Sequence, residues 1–239
     1  PDEPPSAPSE IGADLLAALA EASPSQRLTR LARALERVDA GNVDRMIEIL
    51  GQERTVLTEP EIQLFFEAWA HLEPLTALQH PLKERWPART RVPAVAAAIE
   101  GWALSDPAAA RAFVDRRLEG APKLGQKLVH PFISGWVHSG VPGTFEYILG
   151  LPVHVRPTAS LAMVASQARR LDVDGLLFWA DARVGRGDEV LQRDFFRRVT
   201  KAAARRDPAA TGEWVLTHVD REYAVDGVRL VAERWLPKE

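Results

Sequence analysis

The sequence contains no cysteine, and this absence removes several kinds of chemistry at once. Disulfide bonds, zinc sites built on cysteine and thiol nucleophiles are all excluded for these 239 residues. Runs that alternate β-branched and polar residues are nearly absent as well, which argues against a sheet. Apolar residues instead recur at helical spacing, so the sequence predicts an all-α fold.

Long apolar runs and a strong excess of one charge are also missing. No apolar run reaches the roughly 18 residues that a membrane-spanning helix needs, so no transmembrane segment is predicted. The formal net charge is only −3, which supplies no overall attraction to a nucleic acid, and we expect no nucleic-acid partner. A content of 46% hydrophobic and 26% charged residues is typical of a chain that folds around a core.

Proline is concentrated at the start of the chain, where residues 1–9 read PDEPPSAPS. Such a polar, proline-rich stretch cannot build a core, so residues 1–10 are predicted to form a disordered linker. The helical spacing of apolar residues begins at Ile11. Residues 11–239 are therefore predicted to form a single α-helical repeat domain.

The organising feature of the sequence is an internal repeat. Residues 93–122 and 123–152 align on the pairs Gly101-Trp102 and Gly135-Trp136. Turn residues equivalent to one another then recur at steps of 32 to 35 residues: Asp39, Glu73, Asp106, Gly140, Asp172, Asp207 and Glu239. Self-similarity at this period predicts stacked pairs of helices.

Two positions counted from these turn residues favour large side chains. Position −4 is occupied by Leu35, Trp69, Trp102, Trp136, Ala168, Ala203 and Trp235, and position +7 by Met46, His80, Phe113, Tyr147, Trp179 and Trp214. We expect the two positions to pack on each other across the turn, as wedges of the core rather than as a binding platform. Trp86 lies outside both positions and precedes a proline, so it is predicted to be exposed.

Proline and aspartate define the turns. In Asp106-Pro107 and Asp207-Pro208 the aspartate is predicted to cap the following helix, because its carboxylate accepts a hydrogen bond from an otherwise unpaired backbone N–H. Pro81 and Pro131 fall inside apparently helical stretches, and a kink or break is predicted at each.

The period, the small residues and the aromatic positions over most of residues 24–239 resemble the tetratricopeptide-type α-solenoid class. The Trp-Leu-Gly-Tyr signature of the first helix is absent, so the resemblance is to the wider class of helix-pair repeats. It implies a right-handed α-solenoid of about six helix-turn-helix repeats of roughly 34 residues. It also implies scaffolding or peptide binding.

No motif in the chain predicts a catalytic residue, a metal site or a cofactor. His130, Ser134 and His138 share a helical spacing of four, but no carboxylate stands at ligand spacing, so capping or surface roles are favoured. Residues 172–175 resemble the start of a calcium loop without its later ligands. Residues 185–187, Gly-Arg-Gly, lack the third glycine of a dinucleotide fingerprint. Both stretches are interpreted as turns.

Charge is unevenly distributed along the chain. Residues 36–67 hold eight acidic and three basic residues, whereas residues 183–206 hold eight basic and three acidic residues. Within the basic stretch, four residues at a spacing of four form one stripe along a predicted helix: Arg193, Arg197, Lys201 and Arg205. This basic stripe is either a solvated helix face or a docking face for an acidic partner.

These observations favour a non-enzymatic scaffold module that binds a protein or peptide partner, and the basic stripe would favour an acidic one. The alternative hypothesis is an accessory domain of an enzyme or enzyme complex whose catalytic part lies outside this chain. The opposite charges of the early and late stretches also allow self-association of copies from head to tail.

Overall fold

The computed structural model describes residues 8–53, 56–84 and 86–235. Within these ranges the chain forms fourteen α-helices and one 3-10 helix, with no strand, so the predicted all-α class is confirmed. No helix of the described ranges is both long and apolar enough to cross a membrane. The chain divides into two compact units, Pro1–Phe113 and Val114–Glu239. The single domain predicted over residues 11–239 stays a prediction.

Helix α1 starts at Pro8, inside the predicted linker, so the helical part of the first unit begins earlier than the sequence indicates. Residues 1–7 of that linker lie outside the described residues. The helices of this unit are α1 (Pro8–Leu19), α2 (Pro24–Leu35), α3 (Val43–Glu53), α4 (Glu59–Leu72), α5 (Pro74–Lys83) and α6 (Ala88–Ser105). Helix α7 (Pro107–Gly120) contains the division between the units.

The core of the first unit depends on close contact between α4 and α6. A Cβ atom at Gly101 would lie only 2.8 Å from the carbonyl oxygen of Glu67, so a larger residue at this position would push the two backbones apart. Ile62, Phe65 and Ile99 are almost completely buried in this region.

From α8 to α13, the helices of the second unit alternate between long and short. Its elements are α8 (Pro122–Ser139), α9 (Thr144–Gly150), α10 (Arg156–Arg170), α11 (Val173–Asp181), α12 (Glu189–Ala204), α13 (Pro208–Leu216), the 3-10 helix Glu222–Ala224 and α14 (Val225–Trp235). The long helices contact one another in chain order, α8 with α10, α10 with α12 and α12 with α14.

Aromatic rings pack across the turns as the repeat predicts. Position −4 contacts position +7 of the same helix pair at three successive turns, with these distances between ring centroids: Trp69–His80 5.0 Å, Trp102–Phe113 5.4 Å and Trp136–Tyr147 5.5 Å. The three indoles are at most 6% exposed. These tryptophans are therefore core wedges, and their predicted burial is confirmed. Trp235 and Glu239 lie outside the described side chains.

Hydrogen bonds in the second unit join residues one repeat apart. Tyr147 at position +7 donates its hydroxyl to Asp115 at 2.7 Å, and these residues are 32 apart in the chain. Trp214, also at position +7, donates its indole N–H to Asp181 at 2.7 Å over a separation of 33 residues. Both acceptors stand nine residues after their own turn residue. The same contact is thus made at two places in the chain.

The predicted caps at the aspartate-proline turns are confirmed. The Asp106 carboxylate accepts a hydrogen bond of 3.0 Å from the backbone N–H of Ala109, and Asp207 accepts one of 3.0 Å from Ala210. Asp172, at a turn with a weaker sequence match, caps α11 in the same way through the N–H of Gly175 at 2.8 Å. The carboxylate therefore has the same structural role at three turn residues.

A kink or break is predicted at each internal proline; the break is wrong at both, and the kink stays a prediction. Helix α5 continues through Pro81 and α8 through Pro131. A proline inside a helix costs about 3 kcal/mol, mainly through one lost hydrogen bond and local crowding. Around Pro131 the side chains of Val129, Phe132 and Ile133 are fully buried, and burial of one such side chain contributes about 1.5–3 kcal/mol. Packing therefore outweighs the local cost.

The predicted exposure of Trp86 is also wrong, because this side chain is 2% exposed. Its ring meets Phe66 edge-on, with centroids 5.3 Å apart, between α5 and α6. Among the described side chains, Phe178 on α11 is an exposed aromatic, with 81% of its surface accessible. A residue outside the repeating positions can thus still be buried in the core when it lies in a turn between two helices.

Truncation of a wedge tests the core assignment. Trp102→Ala and Trp136→Ala should each lower the free energy of unfolding by about 3–5 kcal/mol, because each removes a buried indole and leaves a cavity. Phe178→Ala removes an exposed aromatic and should change the free energy of unfolding by less than about 0.5 kcal/mol. Urea denaturation of the three variants measures the difference. Equal effects of the buried and exposed truncations would contradict the wedge assignment.

Substitution of the capping aspartates tests the turns. Asp106→Ala and Asp207→Ala should each cost about 1 kcal/mol of stability, because one backbone N–H of the following helix loses its acceptor. Asp106→Asn and Asp207→Asn keep a capping oxygen and serve as matched controls, so they should retain most of the stability that the cap contributes. The cap assignment fails if the alanine and asparagine variants unfold at the same denaturant concentration.

Candidate docking groove

A groove of about 490 Å³ lies in the second unit where α10 and α12 pack side by side. Its apolar surface comes mostly from α10, and its basic surface comes from α12 and the two residues that follow it. The lining residues are Leu161, Val164, Ala165, Ala168, Arg197, Arg198, Lys201, Ala202, Arg205, Arg206 and, on α14, Leu230. An apolar floor below a basic rim can bind a segment that is apolar on one side and acidic on the other.

Small side chains make room for this groove. Position −4, which is tryptophan at three earlier turns, is Ala168 here. Ala165 and Ala202 also line the space between the two helices. Leu161 is 44% exposed at the edge of the floor, although a leucine of a helix that packs on both sides would usually be buried. The groove therefore presents apolar surface that the described part of the chain does not cover.

All four residues of the basic stripe are exposed, as the spacing of four predicts; three lie on α12, and Arg205 directly follows its last residue. The opposite face of this helix is buried through Phe196, Val199 and Ala203. The structure brings Arg197, Lys201 and Arg205 to the rim of the groove. Arg193 does not line this groove; it lines a neighbouring depression together with Glu189 and Arg197.

Ion pairs divide the stripe into two halves. Arg193 lies 3.5 Å from Glu189 and Arg197 lies 2.9 Å from Asp194, so the charges of both arginines are partly compensated on their own helix. Within the described ranges of the chain, Lys201 and Arg205 form no ion pair. These two cations are the part of the stripe that is most available to a partner.

Two further arginines at the rim are engaged with the protein. Arg206 donates hydrogen bonds to the carbonyl oxygens of Ala168 at 3.0 Å and Leu171 at 2.7 Å, which ties the end of α12 to the end of α10. Arg198 pairs with Asp194 at 2.5 Å. Sequence analysis did not place these residues at the site, and their adjacency to Arg197 and Arg205 was the only available signal.

The other candidate motifs have structural roles. Ser134 is 2% exposed and accepts a hydrogen bond from the Ser166 hydroxyl at 3.2 Å. Asp172 caps α11, and Gly185 and Gly187 have positive φ values of 77° and 89° in the turn before α12. Over the described ranges, no group of three or more His, Asp or Glu side chains is arranged to hold a metal ion.

Comparison with known proteins finds no matching family model, no matching curated protein and no matching solved structure. The proposed function is therefore based on the groove and its charges.

Proposed function

We propose that this chain is a binding module that docks an acidic segment of a partner protein in the groove between α10 and α12. The observation that carries the proposal is the pairing of an uncovered apolar floor with Lys201 and Arg205, which form no ion pair with any described residue. A partner helix with leucines on one face and glutamates beside them would cover the floor and neutralise the two cations.

The architecture proposed for this module is a right-handed solenoid of about six helix pairs of roughly 34 residues. Its support is the recurrence of the same contacts at equivalent positions, namely the ring pairs across three turns and the hydrogen bonds from Tyr147 and Trp214. Stacked helix pairs leave long faces free for a partner, which is consistent with a scaffold that performs no catalysis. The hypothesis of an accessory domain in an enzyme complex would use the same groove and stays a prediction.

A designed peptide pair tests the proposal directly. One labelled peptide forms a helix with leucines on one face flanked by glutamates, and the other has lysines in place of the glutamates. The protein should bind the glutamate peptide, and this binding should weaken as salt is raised, because salt screens exposed charges over about 8–10 Å. Fluorescence anisotropy titration measures both affinities. Binding that ignores salt or prefers the lysine peptide at this groove would contradict the proposal.

The arginines at the two ends of the basic stripe distinguish binding in the groove from a general effect of charge. Arg205→Glu should weaken binding of the glutamate peptide about tenfold, equivalent to about 1.4 kcal/mol, because it places like charge at the rim. Arg193→Glu changes the net charge equally but lies outside the groove, so it should weaken binding by less than about threefold. Equal losses would show that only the overall charge of α12 matters.

A further inference from the structure

A second groove, of about 370 Å³, lies in the first unit between α2 and α4. It combines apolar side chains with two carboxylates. The lining residues are Ala32, Leu35, Glu36 and Val38 from α2 and the turn after it, and Leu64, Glu67, Ala68, His71 and Leu72 from α4. Leu72 is 37% exposed, so this groove also presents apolar surface that the described residues leave uncovered.

The two grooves occupy equivalent places in the repeat. Counted from their turn residues, Ala32 and Ala165 both stand at position −7 on the first of the two helices. On the second helix, Glu67 and Lys201 both stand at position −6. The same structural position therefore carries a carboxylate in one groove and an ammonium group in the other. The contrast continues at position −2, where His71 is the equivalent of Arg205.

The charges around the second groove make it acidic. Within the described ranges, neither Glu36 nor Glu67 forms an ion pair. Burial raises the pKa of Glu67, and the neighbouring carboxylate of Glu100 on α6 raises it further. Burial lowers the pKa of His71, so at neutral pH its imidazole is uncharged and does not offset the carboxylates.

This arrangement is unfavourable for the isolated chain. Glu67 is half-buried beside a like charge, so its ionised form is disfavoured in the folded state. Its folded pKa lies above its unfolded pKa, and stability is therefore lost as pH rises through the interval between them. A lysine or arginine from outside would supply the missing countercharge, and its methylene groups would pack on the leucines of the groove.

We infer that the groove between α2 and α4 is a second docking site, of opposite charge preference, that takes a basic segment of a partner protein. The inference rests on its own groove, in a different unit from the groove between α10 and α12. Either docking proposal can therefore be disproved while the other holds.

The lysine peptide described above is the probe for this site. The wild-type protein should bind it, and Glu67→Gln should weaken that binding about tenfold, because the carboxylate that faces the lysines is lost. Glu59→Gln removes one charge from the same helix at an exposed position outside the groove, so it should change the affinity by less than about twofold. The glutamate peptide should bind equally well to the wild type and to both variants.

Folding of the variants is measured alongside binding. Glu67→Gln removes a disfavoured charge, so its melting temperature at pH 7 should equal or exceed that of the wild type. A lower affinity with an undiminished melting temperature separates a docking role from a structural one. If Glu67→Gln nevertheless unfolds, Glu36→Gln at the exposed edge of the same groove gives the equivalent test, with a loss of at least about threefold expected.

Three results would overturn the inference. The first is that the wild type does not bind the lysine peptide, and the second is an equal loss of this binding in Glu67→Gln and Glu59→Gln. The third is self-association in sedimentation experiments that disappears in Glu67→Gln, because the groove would then hold a second copy of this chain. In each case, retained binding of the glutamate peptide would leave the proposal for the groove between α10 and α12 intact.

Discussion

The contact between two aromatic rings across a tight turn is the interaction on which the repeating structure depends. In Trp102–Phe113 the first ring ends one helix and the second lies two turns into the next, with centroids 5.4 Å apart. Asp106 and Pro107 between them fix the turn by capping and by a preset backbone angle. A pair of short helices cannot bury its apolar side alone, so the large wedge fixes the geometry on which the neighbouring pair packs.

Positions outside the ring contact differ from one repeat to another, and the two candidate docking grooves are lined by such positions. Position −6 points toward the groove between successive long helices in both units and carries Glu67 in one and Lys201 in the other. Both grooves also have apolar lining residues, so we propose that the charge at this position selects the partner segment. One structural plan can therefore provide two surfaces of opposite preference on a chain whose net charge is only −3.

Features that repeat could be predicted from the sequence, and features that depend on one local environment could not. The caps at Asp106 and Asp207 and the buried tryptophans recur with the period, so independent copies supported each prediction. Trp86 occurs outside the repeat, and only its contact with Phe66 explains its burial. Arg205 and Arg206 are neighbours of the same type and both line the groove, yet only Arg206 donates hydrogen bonds to the carbonyl oxygens of Ala168 and Leu171 at the end of α10. Spacing along a helix contains no information about such pairing.

A double-mutant cycle measures whether the two rings at a turn stabilise the fold as one energetic unit. Trp102→Leu, Phe113→Leu and the double variant keep apolar bulk while they remove the ring contact. If the ring contact stabilises the fold, Trp102 and Phe113 should show a coupling of about 0.5–1.5 kcal/mol in the free energy of unfolding. A parallel cycle between Trp102 and Met46, which is buried on α3, should be additive within about 0.5 kcal/mol. Additivity in the Trp102–Phe113 cycle, with both single variants folded, would contradict the account.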